Sequence, residues 1–115
     1  MMLSYPSTSL TWVVNQVATA SFNAPTVGKE QQSIVFTQAV LAGATSPVGT
    51  LTLQVSADGT NWSTLLVNGT AQTVAVSANG VFNFNIPTLA SKFFRVAWTF
   101  TSGTAGTFNF AYNMN

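Results

Sequence analysis

The chain has 115 residues, with three Lys or Arg, two Asp or Glu, and neither His nor Cys. Its 4% charged residues compare with about 25% in an ordinary globular domain. Without His or Cys, zinc, copper and iron lose their usual ligands and a serine nucleophile loses its usual base. Three scattered cations cannot build the stripe that holds a phosphate backbone, so nucleic acid is not an expected partner.

In chain order, residues 1–9 are expected to form an N-terminal arm ahead of a single domain spanning 10–115. Met1–Pro6 shows no basic segment leading into an apolar one, so no signal peptide is expected and synthesis is assigned to a cytoplasm. No run of 18 apolar residues occurs, and no membrane partner is expected. Period-2 alternation, the mark of a strand with one face in a core, then dominates the chain. It predicts a first strand over 10–18, where Leu10, Trp12 and Val14 share a phase. Residues 19–31 read as a strand end plus a loop carrying Lys29 and Glu30. Further strands are predicted at 32–41, 50–56, 62–67, 72–77, 81–86, 93–100 and 106–113. For 38–44, a strand end is preferred to a short helical turn.

Asp58-Gly59, Asn68-Gly69 and Asn79-Gly80 read as hairpin turns, because these pairs tolerate positive φ. Ser102–Gly106 reads as a longer glycine-containing hairpin loop. Pro25, Pro47 and Pro87 are expected at the ends of runs, where a missing N–H costs least. Eight short strands spaced by turn signals predict an all-β fold, a single antiparallel β-sandwich that is jelly-roll-like, with an immunoglobulin-like sandwich as the alternative.

The two acidic side chains, Glu30 and Asp58, lie far apart in sequence, and Asp58 already has a turn to make. A carboxylate pair for acid–base work, or several carboxylates around calcium, is therefore not expected. No catalytic residue, metal site or cofactor is assigned, and the chain is expected not to be an enzyme. Most aromatics fall on the apolar phase of a strand and are assigned to the core. Trp62 follows the Asp58 turn directly and is assigned to capping one end of the sandwich in preference to facing a ligand. Phe93 is out of phase with Phe94, and with Lys92 and Arg95 it marks a contact patch, unless a bulge or a second buried layer places it there. Asp58, Asn61, Trp62, Lys92, Phe93 and Arg95 are together the candidate contact residues.

The segment 49–62, GTLTLQVSADGTNW, resembles a strand–turn–strand of small virion structural proteins of tailed bacteriophages. The segment 93–107, FFRVAWTFTSGTAGT, resembles a later hairpin of the same proteins. Together they cover about a quarter of the chain. The first segment is also similar to carbohydrate-binding β-sandwiches of the discoidin type, although this chain has almost none of the charged residues that would bond a sugar. The virion resemblance implies a head-decoration or tail subunit, located in the virion, whose partners are copies of itself and another virion protein, the major capsid or a tail protein. Composition points the same way: five charges on a folded surface of about 6,000 Å² fall well short of the roughly 25–35% charged surface that keeps monomers apart. The alternatives are a carbohydrate- or receptor-binding module, with a glycan as partner, and a subunit of a self-assembling surface filament.

Overall fold

The computed structural model describes residues 8–17, 21–28 and 33–114. Most of the expected arm, residues 1–7, and the Lys29-Glu30 pair lie outside the described residues; Thr8 and Ser9 already belong to the first strand. Twelve strand segments follow one another: β1 (Thr8–Val17), β2 (Phe22–Asn23), β3 (Val27–Gly28), β4 (Ser33–Ala42), β5 (Thr45–Ser56), β6 (Ser63–Thr64), β7 (Leu66–Val67), β8 (Thr70–Ala71), β9 (Thr73–Val76), β10 (Gly80–Leu89), β11 (Phe93–Thr104) and β12 (Thr107–Met114).

Ten of them build two antiparallel sheets, and β7 and β8 pair with each other as a separate two-stranded hairpin. Sheet A runs β1-β12-β4-β10. Sheet B has β11 and β5 at its centre, with β2 and β3 along the far edge of β11 and β6 and β9 along the far edge of β5. Taking β2 with β3 and β6 with β9 as one edge each gives eight strands in two sheets of four, and the chain alternates between the sheets at each step from one such strand to the next, except from β5 to β6. This is the jelly-roll-like connectivity rather than the immunoglobulin one.

The core lies between the sheets and follows the alternation. Val35, Ala39, Leu41, Phe84, Ile86, Phe108, Phe110 and Tyr112 enter it from sheet A, and Leu51, Leu53, Phe94, Val96 and Trp98 from sheet B. Aromatic pairs tie the layers together. Trp98 meets Phe108 at 4.8 Å between ring centroids, Phe94 meets Tyr112 edge-on at 5.4 Å, and Phe22 of β2 meets both Phe108 and Phe110. In β1, Leu10, Trp12 and Val14 stand in register with Tyr112, Phe110 and Phe108.

Several local expectations change. Asn68-Gly69 does make a tight hairpin, with φ of 51° and 79° and Val67 facing Thr70, the pattern of a type I′ turn. Asn79-Gly80 and Ser102–Gly106 do not close hairpins. The first leads from β9 in sheet B to β10 in sheet A, and the second from β11 to β12, also across sheets. The physical reason is visible at the Asn79 corner. Its carboxamide accepts from Ala44 N–H at 2.9 Å and donates to Ala44 C=O at 2.8 Å, stitching it to the β4–β5 corner instead of to its own chain neighbours. Pro47 and Pro87 lie inside β5 and β10, not at run ends, and each sits at a register shift where the ladder skips a residue.

The expected strand 62–67 also divides. β6 and β9 both run antiparallel to β5, as two halves of one edge strand, and residues 65–72 leave that edge as the β7–β8 hairpin. Leu53 closes its base: its C=O accepts from Leu65 N–H at 2.9 Å and its N–H donates to Gln72 C=O at 3.0 Å. Leu66, on the projecting hairpin, is exposed.

Candidate functional site

The turn from β5 to β6 is organised by one carboxylate. Asp58 Oδ1 accepts from Ser56 Oγ (2.9 Å), Thr60 N–H (2.8 Å) and Asn61 N–H (2.8 Å), and Oδ2 accepts from Asn61 Nδ2 (2.7 Å). Ser56 Oγ in turn accepts from the N–H groups of Asp58 and Gly59. Four donors aimed at one anion hold the Asp58 carboxyl far below the usual carboxylate range, the Asn61 and Thr60 N–H groups contributing most. Sequence alone makes this foreseeable, because Asp followed by Gly favours an Asx-type turn.

The turn delivers Trp62 to the outer face of sheet B. There the Arg95 guanidinium carbon lies 4.1 Å from the Trp62 ring centroid, close enough for a cation–π contact. Arg95 stands opposite Gln54 across the β5–β11 ladder, and its Nε–H donates to Gln54 Oε1 at 2.8 Å. Trp62 therefore lies on a sheet face beneath an arginine and does not cap an end of the sandwich. Partial burial lowers the Arg95 pKa, but a guanidinium stays charged at any physiological pH.

Phe93 starts β11 in regular register with Ser56 and Gly28, so no bulge explains its phase. It occupies the outer face, half-buried, with its two ring edges against glycines. A methyl group added at Gly28 would lie 3.4 Å from Cε1, and one at Gly59 would lie 3.6 Å from Cε2. The Lys92 ammonium is 5.5 Å from the Phe93 ring centroid.

All six candidate residues thus gather at one end of one sheet face. Gly59 joins the Asp58–Trp62 turn to Phe93, and Trp62 joins it to Arg95. Gln54, Gly28 and Ser56 are the members that sequence reasoning missed. Only strand register reveals Gln54, because its partner is 41 residues away.

Asp58 is committed to its turn, and among the described residues no group of three His, Cys, Asp or Glu side chains gathers. One face of the Trp62 ring is taken by Arg95, so a stacking ligand would have only the other.

The charges of the chain are distributed unevenly. None of the four strands of sheet A contains a charged residue, whereas Asp58, Lys92 and Arg95 all lie on or beside sheet B. On the outer face of sheet A, Ile34 and Val81 are 51% and 55% exposed among Asn83, Asn85, Asn109 and Asn113.

No protein-family model and no curated protein sequence matches the chain. Among solved structures, the crystal structure of the SPBc2 prophage-derived protein YomS is similar over 100% of both chains, with a TM-score of 0.56 and 9% sequence identity. At that identity the likeness establishes the shared β-sandwich fold alone.

Proposed function

We propose that this chain is a non-enzymatic structural protein of a bacteriophage particle, a head-decoration or tail subunit that assembles with copies of itself and docks on a major capsid or tail protein. The observation that carries the reading is sheet A, a complete sheet without a charged residue whose outer face exposes Ile34 and Val81. Such a face gives a free monomer little protection from association and suits burial against a neighbour. Support for a phage setting comes from the whole-length fold likeness to a prophage-derived protein and from the virion resemblance of residues 49–62 and 93–107. A glycan-binding module is the weaker reading, because Arg95 already covers one face of Trp62.

The test is sedimentation across a wide concentration range. The 12.1 kDa chain is expected to run as a multiple of its own mass. The pair Ile34→Lys and Val81→Lys, both on exposed positions, is expected to shift it toward the monomer with its circular dichroism unchanged. A monomer at every concentration would count against assembly through this face.

A further inference from the structure

Arg95 combines three properties that seldom coincide on so neutral a protein. It is half-buried, it is fixed in orientation, and among the described residues no carboxylate pairs with it. Two contacts hold it: the guanidinium carbon lies 4.1 Å from the Trp62 ring centroid, and Nε–H donates to Gln54 at 2.8 Å. A guanidinium carries five N–H donors, of which this bond uses one. Asp58, the acidic group of the adjoining turn, is no acceptor for the rest, because its two oxygens already take four hydrogen bonds. Around Arg95 the outer face of sheet B is Thr52, Thr64, Ala97 and Thr99, side chains that neither compete for the cation nor compensate it.

An arginine held in this way has already lost the side-chain freedom that usually makes an exposed ion pair weak. Its planar fork matches the two oxygens of a carboxylate. A doubly charged phosphate would call for a cluster of cations. The described part of this face offers Arg95 and Lys92, and Lys92 rests over Phe93. We propose that Arg95, held over Trp62 and bonded to Gln54, is a receptor for the carboxylate of an acidic side chain on a partner protein. A second copy of the chain is a poor source, with two acidic side chains in all and one of them, Asp58, bonded within its own turn. The partner is therefore a different protein with an acidic surface. The inference does not depend on a phage setting or on self-association through sheet A.

The test is a two-dimensional ¹H–¹⁵N NMR titration of the full chain at constant ionic strength, following the Arg95 Nε–H and Trp62 indole N–H signals. The probes are acetylglutamate amide, its neutral counterpart acetylglutamine amide, and inorganic phosphate. Acetylglutamate amide is expected to shift both signals saturably, and acetylglutamine amide to leave them in place. R95K keeps the charge but loses the fork, and should bind acetylglutamate amide roughly tenfold more weakly by its Trp62 signal. Q54A, which frees the guanidinium to rotate, should also weaken binding. A purely structural role for Arg95 in pinning the turn would give no saturable shift with acetylglutamate amide. That result, an undiminished response in R95K, or stronger binding of phosphate would each overturn the proposal.

Discussion

Thr37 offers the sharpest test of how the core is put together. It lies in β4 on the core-facing phase, between Phe84 of β10 and Tyr112 of β12, and is 1% exposed. Among the described residues its Oγ1 has no hydrogen-bond partner. A hydroxyl buried without a partner costs about 1–3 kcal/mol relative to one left in water. Valine has the same branched shape and a comparable preference for strands, so Thr37→Val removes that penalty without opening a cavity or crowding the site. The expected gain is about 1–2 kcal/mol, which in a domain of this size raises the melting midpoint by roughly 3–8 °C. Thr37→Ser keeps the hydroxyl and deletes one buried methyl, and should lose about 1 kcal/mol. Urea unfolding followed by tryptophan fluorescence at a fixed protein concentration measures both, with the midpoint moving and the slope unchanged. A Thr37→Val variant less stable than the parent would refute the reasoning, since it would mean that the hydroxyl contributes a bond to the folded state.

Two further outcomes follow from the same structure. Gly49 packs so closely under Trp98 that an added methyl group would overlap the indole ring and press on the Thr99 carbonyl. Gly49→Ala is therefore expected to cost about 3 kcal/mol or more, against under 1 kcal/mol at a strand position with room, and the same urea experiment reads it. The pH profile should be unusually flat: the chain has neither His nor Cys, the side chains whose ordinary pKa falls between about pH 5 and 9, so thermal midpoints across that range should coincide. Below about pH 4 stability should fall, because the Asp58 pKa is depressed on folding; a group of that kind stabilises above its unfolded pKa of about 3.9 and loses its contribution as pH drops toward the folded one. Asp58→Asn should flatten this acid limb, and an unchanged limb would show that the turn carboxylate does not cause it.

Much of the fold was legible because alternation is a direct record of burial. The phases read at Leu51 and Leu53, at Phe94, Val96 and Trp98, and at Phe108, Phe110 and Tyr112 are the phases found in the core. Which strand lies in which sheet was not legible. An Asn-Gly or Gly-rich segment reports that the backbone bends with positive φ, not whether the next strand pairs with the last or crosses to the opposite layer. Asn68-Gly69 and Asn79-Gly80 look alike in sequence. The first joins paired strands and the second changes sheet, because the Asn79 side chain bonds the backbone of Ala44, 35 residues away. Residues 62–67 misled for a related reason: three apolar residues in a row, Leu65, Leu66 and Val67, fit a single strand, yet Leu65 turns off the edge of β5. At the candidate site, the six residues could be named from local cues such as a turn, an out-of-phase aromatic and nearby cations. That they form one surface is a consequence of register between β5 and β11, which no local window contains.

The separation of charge between the two sheets bears on how such a chain could be used. In a sandwich, the residues facing outward are free of packing constraints, and those positions usually carry Lys and Glu. Here the outward positions of β4, β10 and β12 carry Asn, Gln, Thr, Ala, Val, Ile and Phe, so this part of sheet A can be covered by a neighbour without stranding an ion. Desolvating an unpaired charge costs several kcal/mol, whereas an amide or hydroxyl can exchange its water for a bond across an interface at little net cost. Sheet B is built differently. Its described charges are few and each is held: Asp58 by four hydrogen bonds, Arg95 by a ring and a carboxamide, Lys92 over Phe93. A face of fixed, sparse charges gains selectivity instead of area, since a partner must bring its carboxylate to the place where the fork already points. The two faces thus suit different neighbours, a neutral one over sheet A and an acidic one over sheet B. Lysines at Ile34 and Val81 should disturb only the first, and loss of the Arg95 fork only the second.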